Sequence, residues 1–144
     1  MKRVFYISLL LATIQLYAKF DRVGDSVVDS KTDLVWQDNY SDNGGDIVEK
    51  SWSDAIRYCE DRNESNYNDW RLPNKKEILS ILVYDNPDAG IDSQFTQTGV
   101  GEYWSSSSYP LDTTKAWVVD FNRGDSDSKD KTLELLVRCV RGGI

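Results

Sequence analysis

The stretch Asn68–Glu77, NDWRLPNKKE, contains a helix start together with a tryptophan and an arginine that the helix does not explain. Pro73 favours extended backbone in the residue before it, and Asn74 is a good N-cap. Glu77 stands three residues later, where its carboxylate reaches back to the free backbone amides in a capping box. A helix is therefore predicted to begin at Lys75. Its buried stripe comprises Ile78, Leu79, Ile81 and Leu82.

The tryptophan and the arginine of this stretch are interpreted as scaffold. We predict that Trp70 is buried and that Arg71 pairs with a carboxylate or with backbone carbonyls of the adjoining loops. The reason is that an unpaired guanidinium is costly to remove from water. The stretch is therefore expected to support the fold and not to bind a ligand.

Another helix is predicted before this stretch. Ser51 stands three residues before Asp54, which is the spacing of an N-cap and a carboxylate in the first turn. The apolar residues of the segment fall on one helical face: Trp52, Ala55, Ile56 and Cys59. Cys59 is therefore expected to point into the protein. The helix is expected to end before the polar residues 63–68.

Short β-compatible runs lie on both sides of the two helices. Val23–Val28 and Leu34–Gln37 precede them, separated by a predicted hairpin turn at residues 29–33. Beyond the second helix, a long irregular stretch is expected from residue 86 to about residue 101. Three β-like runs follow it: Tyr103–Ser107, Lys115–Phe121 and Leu133–Arg141.

This order of elements predicts an α+β fold. Strands first, two helices in the middle and strands last indicate one domain with two helices packed on antiparallel sheets, joined by long loops. The terminal strands are expected to pair with each other. Asp38–Asp46 is predicted to be a polar loop, and Asp125–Lys131 a charged hairpin extension.

The chain has two cysteines, Cys59 and Cys139. We predict that they form a disulfide, because the export predicted below would place them where disulfides persist. Closing a loop of about 80 residues contributes about 4 kcal/mol in the chain-entropy model. The alternative is a pair of reactive or metal-binding thiols, but no histidine or further cysteine is present to complete a soft-metal site.

Residues 1–18 have the layout of a secretory signal peptide. Lys2 and Arg3 are followed by the apolar run Val4–Ile14 and by the small residue Ala18. The mature domain is then predicted to span residues 19–144 without a transmembrane segment. An uncleaved anchor is the alternative, although the apolar run is short for a membrane span.

The predicted mature chain is acidic. Without Lys2 and Arg3 it holds 15 basic and 24 acidic residues, a formal charge of −9. Nucleic acid is therefore an unfavourable partner, because affinity for phosphate backbones comes mostly from Lys and Arg. The same argument disfavours sulfated polysaccharides, unless basic residues cluster on one face.

Six separated pieces of the sequence share one pattern with a known family. They are TDLVWQD at 32–38, SWSDAIRYCE at 51–60, DWRLPNKKEIL at 69–79, YWSSS at 103–107, AWVVDFNRG at 116–124 and VRCVRG at 137–142. In these pieces the chain resembles the Lcl C-terminal domain family, named after the end domain of a collagen-like bacterial adhesin.

The resemblance implies an exported bacterial domain with a fold related to C-type lectins and formylglycine-generating enzymes. In the adhesin, the domain binds host glycosaminoglycans as a trimer on a collagen-like stalk. The present sequence contains no collagen-like repeat and has the wrong net charge for such a ligand, so neither property is transferred. The resemblance also implies a structural role for Trp70, Arg71, Pro73, Glu77, Trp104 and Arg138.

Enzyme chemistry has little support in the sequence. The chain has no histidine, which removes the commonest general base and metal ligand at neutral pH. Thiol-dependent oxidation would need free cysteines. A carboxylate-based glycoside hydrolase remains an alternative, which would require two carboxylates about 5 Å or about 7 to 9 Å apart across a cleft.

Calcium is the one cofactor that the composition suggests. The loop 38–46 and the segment 125–130 concentrate carboxylates, which hard cations prefer. Neither fits the EF-hand pattern, so flexible polar loops are the favoured interpretation. The weak calcium candidates are Asp42, Asp46, Asp125 and Asp127.

The aromatic residues are candidates for a surface on which sugar rings stack. The five tryptophans all lie in the shared pieces or on apolar faces, which favours core packing. Tyr40, Tyr67 and Tyr109 lie in predicted loops and are the ligand-binding candidates. If the protein has a stacking surface, these three residues are the first place to look, and the sequence leaves open whether they converge on one groove or scatter.

Asn63 is a candidate for glycosylation. It begins an Asn-x-Ser acceptor with Ser65, and Asp61 places an acidic residue two positions before it, as in the bacterial form of this sequon. Chance occurrence is the alternative.

These features favour an exported, non-enzymatic binding module that recognises a glycan or a surface protein at the cell envelope through its loops. The alternative function is a structural or interaction subunit of a periplasmic or surface complex. The sequence leaves open the ligand, the oligomeric state and the choice between periplasm and cell exterior.

Overall fold

The computed structural model describes residues 19–64, 66–85 and 88–143. The predicted signal peptide lies outside the described residues. In chain order the elements are β1 (Phe20–Val23), β2 (Ser26–Asp29), β3 (Val35–Gln37), a 3-10 turn (Ser41–Asn43), β4 (Glu49–Lys50), α1 (Trp52–Glu60), α2 (Lys75–Ser80), β5 (Leu82–Asp85), β6 (Asp88–Ile91), β7 (Glu102–Ser108), β8 (Lys115–Asp120), β9 (Asp125–Asp130), β10 (Leu135–Leu136) and β11 (Val140–Arg141).

The first sheet joins the two ends of the described chain. Its strand order is β1-β2-β3-β11, with antiparallel pairing throughout. Val140 of β11 lies opposite Trp36 of β3, which confirms the predicted pairing of the terminal strands. The prediction of one continuous run over Val23–Val28 is wrong. The chain reverses at Gly24, whose φ of 60° is one that glycine adopts without strain.

The second sheet has the strand order β4-β10-β7-β8-β9. Its pairs are antiparallel except for β10 with β7, where Leu136 lies opposite Tyr103 in parallel register. The segment predicted to be a charged hairpin extension forms the edge strand β9. Its charged and hydroxyl side chains suit an edge, because they discourage pairing with another chain.

Both helices begin at their predicted caps. Ser51 accepts a hydrogen bond from the Asp54 amide at the start of α1, and Asn74 and Glu77 form the capping box of α2. Among the described residues, no helix is long and apolar enough to cross a membrane.

The segment after α2 differs from its prediction. α2 ends at Ser80, so Leu82 begins a strand and does not extend the helix. β5 then pairs with β6 in an antiparallel hairpin, and β6 lies inside the stretch predicted to be irregular. Residues 86 and 87 lie outside the described residues. The predicted run Leu133–Arg141 is likewise divided into the two short strands β10 and β11.

The second sheet separates two hydrophobic cores. Successive residues of a strand point to opposite faces, and Val118 and Val119 of β8 accordingly lie in different cores. The core containing Val119 includes Trp36 of the first sheet and Ile78 of α2. The core containing Val118 includes Cys59 of α1. The two helices therefore lie against opposite faces of one sheet, and the predicted α+β class is confirmed.

The tryptophans divide between these cores and the surface. Three are buried, as predicted: Trp36, Trp70 and Trp104. Trp52 is half-buried against the α1 core, and its indole donates a hydrogen bond to the Ser105 carbonyl at 2.8 Å. Trp117 belongs to neither core, so the prediction of core packing is wrong for this residue.

The predicted disulfide is confirmed. Cys59 and Cys139 are bonded, with their Cα atoms 5.4 Å apart, and both residues are fully buried. Cys59 lies near the end of α1, and Cys139 directly precedes β11. The bond therefore fixes α1 to the strand segment that completes the first sheet.

A buried ion pair between Arg138 and Asp38 joins the segments around residues 38, 96 and 138. The Arg138 guanidinium and the Asp38 carboxylate are fully buried, with Nη1 3.1 Å from Oδ1. Asp38 also pairs with Arg22 and accepts hydrogen bonds from the amides of Thr96 and Gln97 at 2.8 and 3.1 Å. The pair thereby fixes residues 96 and 97 to the first sheet.

Removing the disulfide should destabilise the domain without changing its fold. The double substitution Cys59→Ala with Cys139→Ala is expected to lower the free energy of unfolding by about 4 kcal/mol, because the unfolded chain loses its constraint. Urea denaturation followed by tryptophan fluorescence measures this difference. Two thiols that titrate in the folded wild-type protein would contradict the assignment.

The Asp38 network should make stability depend on acid pH. Burial alone raises the pKa of Asp38, but the Thr96 amide, Arg22 and Arg138 together hold it below its ordinary value. The stabilisation is therefore present above the unfolded pKa of about 3.9 and is lost as pH falls towards the folded pKa.

Urea titrations at pH 7, 5 and 3.5 test this dependence. The substitution Asp38→Asn should cost about 3 to 5 kcal/mol at pH 7, since it leaves a buried guanidinium without its counter-ion. It should also flatten the acid dependence. An Asp38→Asn protein with the same acid slope as the wild type would show that other carboxylates determine it.

Candidate functional site

The outward face of α1 carries a second stripe of side chains. It lies away from the buried Ala55 and Cys59 and continues past the helix end at helical spacing. The stripe comprises Asp54, Arg57, Tyr58, Asp61 and Arg62. It is polar and charged apart from one aromatic ring, which makes it the natural place to look for a ligand contact.

This stripe forms one wall of a surface groove of about 770 Å³, which we call the α1 groove. The opposite wall comes from the loop before β4 and from β4 itself. Six of the lining side chains are carboxylates and three are cations. The groove is lined by Asn39, Ser41, Asp42, Glu49, Lys50, Asp54, Arg57, Tyr58, Asp61, Arg62, Asn63, Glu64 and Glu134.

Tyr58 is held firmly within the α1 groove. Its hydroxyl donates to Asp42 Oδ2 at 2.9 Å and accepts from Gln37 Nε2 at 3.1 Å and from Arg62 Nη1 at 3.2 Å. The ring is half-buried, and the Lys50 ammonium lies 5.5 Å from its centroid. Burial raises the pKa of this hydroxyl, and the Asp42 carboxylate adds to the rise, so the phenol stays protonated at neutral pH.

Arg62 helps to hold Tyr58 in place and is itself largely buried. Only 10% of its side chain is exposed. Its Nε donates to Glu64 Oε2 at 2.8 Å and its Nη2 to the Asn39 carbonyl at 2.9 Å. The guanidinium lies 5.7 Å from the centroid of Trp70. Arg62 therefore ties the end of α1 to the opposite wall of the groove and to the core.

The charges at the rim are more accessible. Arg57 pairs with Asp54 one helical turn earlier, and both side chains are at least half exposed. The hydrogen bond from Ser51, together with Arg57, lowers the pKa of Asp54. A lowered pKa keeps this carboxylate ionised, whereas a general acid needs a raised one.

Tyr40 is not a surface residue, and its prediction as a ligand contact is wrong. Its side chain is 1% exposed, and its hydroxyl donates to the Val137 carbonyl at 3.1 Å. The ring lies beside the buried Arg138 guanidinium, 5.8 Å from its centre. The loop around Tyr40 therefore folds onto the core, and burial raises the pKa of this hydroxyl far above its ordinary value.

Tyr67 and Tyr109 are accessible but do not share a surface. Tyr67 is exposed, and the Arg141 guanidinium covers its ring at 3.5 Å. Tyr109 is half-buried against the edge of Trp117, with ring centroids 5.0 Å apart. Neither residue lines the α1 groove. The three tyrosine candidates therefore scatter and do not converge on one groove.

The four calcium candidates lie on separate segments. Asp42 contacts Tyr58 and lies 3.6 Å from Arg62 in the α1 groove, and Asp46 is exposed in the following loop. Asp125 and Asp127 on β9 are each 3.3 Å from a basic side chain, Arg123 and Lys129 respectively. Within residues 19–64, 66–85 and 88–143, no three carboxylate or cysteine side chains converge in a metal-binding arrangement.

Asn63 is exposed and lies on the wall of the α1 groove. Ser65, the other half of its predicted sequon, lies outside the described residues. Glycosylation at Asn63 stays a prediction.

The six residues given a structural role by the resemblance line no part of the α1 groove. Trp70, Pro73, Trp104 and Arg138 are buried. Arg71 forms a bidentate pair with Glu77, at 3.0 and 2.7 Å, and also donates to the Gly142 carbonyl at 3.1 Å. The predictions of a buried Trp70 and a paired Arg71 are confirmed.

A second recess, of about 860 Å³, lies beside α2 and includes Arg71 and Glu77 in its lining. Glu77 Oε1 also accepts from the Asn74 amide in the capping box. The polar groups of this recess are therefore engaged in fixing the start of α2, which makes the α1 groove the better candidate.

Sequence reasoning missed the α1 groove because it followed only the apolar face of α1. Tyr58 is one position from Cys59 and falls outside the buried stripe. An aromatic residue among charged ones on the polar face of an amphipathic helix was the available signal. Asp42 was predicted only as a weak calcium candidate, and no local pattern indicated that residues 39–42 lie opposite α1.

Comparison with known proteins supports the resemblance found in the sequence. A sequence model of the Lcl C-terminal domain matches residues 25–141. The match extends from before the TDLVWQD piece into the final VRCVRG piece. A search of curated proteins finds no match to this chain.

Substituting Arg71 by Ala should lower the stability of the domain. The substitution removes three hydrogen bonds and leaves Glu77, whose side chain is 13% exposed, without its partner. The expected loss is about 1 to 3 kcal/mol in the free energy of unfolding. Urea denaturation is the measurement.

Arg57→Ala is the matched control for this measurement. It removes an exposed ion pair and should change stability by less than about 0.5 kcal/mol. If Arg71→Ala proved as stable as the wild type, the assignment of Arg71 as a structural residue would be wrong.

Proposed function

The chain belongs to the Lcl C-terminal domain family, and we propose that it is an exported, non-enzymatic binding module. Its ligand is a glycan or a surface protein at the cell envelope, and its contact surface is the α1 groove. Family membership supports a binding role of the adhesin type. The disulfide supports export, because such bonds persist in oxidising compartments.

The observation that carries this proposal is the fixed ring of Tyr58 in an open groove. Three hydrogen bonds hold its hydroxyl before any ligand arrives. A rigid tyrosine offers a large contact area at low cost in conformational entropy, which is why tyrosine dominates many binding surfaces. The amide and carboxylate groups around it supply the hydrogen-bond partners that a polyhydroxylated ligand needs.

The charges of the α1 groove favour a neutral glycan over a sulfated one. Its lining carries twice as many carboxylates as cations. Two of the three cations, Arg57 and Arg62, are already paired with Asp54 and Glu64. A polyanionic chain would therefore meet net repulsion at close range.

The non-enzymatic assignment is supported by the side chains available for catalysis. The chain has no histidine, and its only two thiols are joined in a buried disulfide. Asp54 in the groove has a lowered pKa, which does not suit the acid of a carboxylate pair. Binding, which needs no proton transfer, is the activity that this set of residues supports best.

Binding to an array of neutral and acidic envelope glycans tests the proposal. Tyr58→Ala is expected to weaken binding to a retained glycan by at least about tenfold, the loss typical of a central aromatic contact. Tyr67→Ala is the matched control, because Tyr67 is exposed outside the groove. Circular dichroism establishes that both variants are folded.

Several outcomes would contradict the proposal. Equal binding by Tyr58→Ala and the wild type would remove the α1 groove as the contact surface. Cleavage of any glycan on the array would contradict the non-enzymatic assignment. Stable co-purification with envelope proteins and no glycan binding would favour the alternative, a subunit of a surface complex.

A further inference from the structure

Asn63 combines a modification motif with a position on the α1 groove. It lies two residues beyond the C-cap of α1, Asp61, and its side chain is exposed on the groove wall. Within the part of the chain that the structure describes, its amide group makes no hydrogen bond. The side chain therefore has no structural role among the described hydrogen bonds and is exposed to solvent.

The surrounding chain is accessible to a modifying enzyme. Glu64 and Tyr67 form a short antiparallel bridge, with hydrogen bonds of 3.3 and 3.0 Å between their backbones. Asn66 in this turn has a φ of 64°, a left-handed conformation that asparagine tolerates. Residues 66–69 are all exposed. The acceptor thus stands in a surface turn at a helix end, and the contacts around it are those of Glu64: its backbone bridge to Tyr67 and its ion pair with Arg62.

The sequence around Asn63 fits an N-glycosylation acceptor. Ser65 supplies the hydroxyl residue at the second position after the asparagine, and Glu64 between them is not proline. Asp61, two positions before, is exposed next to the acceptor, where a basic enzyme surface can contact its carboxylate. Asn66 and Asn68 lie in the same exposed turn but lack this sequence context.

We propose that Asn63 is N-glycosylated and that its oligosaccharide covers one end of the α1 groove, so that modification regulates access to it. The regulatory part rests on the proposed function of the groove, whereas the modification itself does not. An N-linked oligosaccharide is bulky and fully hydrated. Attached to the groove wall, it would occupy the space into which a ligand must enter.

The transfer requires a polyprenyl-diphosphate-linked oligosaccharide as the donor. The Asn63 Nδ2 atom bonds to C1 of the reducing-end sugar while the bond from C1 to the diphosphate oxygen breaks. The diphosphate leaves with that electron pair, and the amide nitrogen loses one proton to a base. No oxidant or reductant is involved. The enzyme faces the exported side of the membrane, which agrees with the export proposed above.

Mass spectrometry of the protein purified from the envelope of its native organism tests the modification. The intact mass should exceed that of the polypeptide by one oligosaccharide, located at Asn63 in the tryptic peptide of residues 63–71. Asn63→Gln and Asp61→Ala should abolish or strongly reduce the added mass. Asn68→Gln, a matched change in the same exposed turn, should retain it. An unmodified native protein would overturn the proposal.

Labelling of an introduced thiol tests whether the glycan covers the groove. The Arg57→Cys protein should react with a polyethylene-glycol maleimide at least about tenfold more slowly when glycosylated than in the Asn63→Gln background. Thr113→Cys, outside the groove, should react equally in both. Equal rates at position 57 would overturn the covering role. Neither readout uses a groove ligand, so failure here and failure of the proposed binding function can be told apart.

Discussion

The buried guanidinium of Arg138 is the constraint on which the rest of this domain depends. A charge with no exposure to water must be paired and hydrogen-bonded, because its desolvation costs several kcal/mol. Asp38 supplies the counter-charge, and the carbonyls of Gln37 and Gln97 accept further hydrogen bonds from the same group. Residues 37 and 38 must therefore meet residue 97 at one point, although 59 positions separate Asp38 from Gln97 in the sequence. Their meeting joins the first sheet to the segment before β7.

The buried Arg138 guanidinium also fixes the position of the neighbouring loop, which contains Tyr40. The Arg138 guanidinium lies among aromatic rings, with Phe95 at 4.9 Å and Tyr40 at 5.8 Å. Tyr40 is drawn into this shell, so the chain directly after it is held against the domain. Asn39 and Asp42 are thereby placed opposite α1, where they contact Arg62 and Tyr58. The disulfide fixes α1 from the other side, and the α1 groove is therefore preorganised by two buried connections.

Local signals account for the parts of the fold that were predictable from sequence. Both helix starts depend on residues three positions apart, and the periodicity of α1 identified Cys59 as buried. The turn at Gly24 and the hairpin of β5 and β6 were missed, because strands of four residues are too short to show a strong periodic pattern. Burial of Tyr40 depends on a contact with a residue about 100 positions away, which no local pattern encodes. Tyr58 could have been found, since its place on the polar face of α1 was visible in the sequence.

The residues shared with the family and most of the residues that line the α1 groove lie in different parts of the molecule. The pieces shared with the family supply the buried frame, including Trp70, Trp104 and Arg138, and also the helix that carries Tyr58. Most of the remaining groove residues lie between those pieces, in residues 39–50, in residues 61–64 and at Glu134. Related chains can therefore keep the same frame and the same helix while presenting a different set of charges opposite it. A ligand known for one family member does not follow for another, and under the function proposed above the acidic lining of this groove favours a neutral ligand.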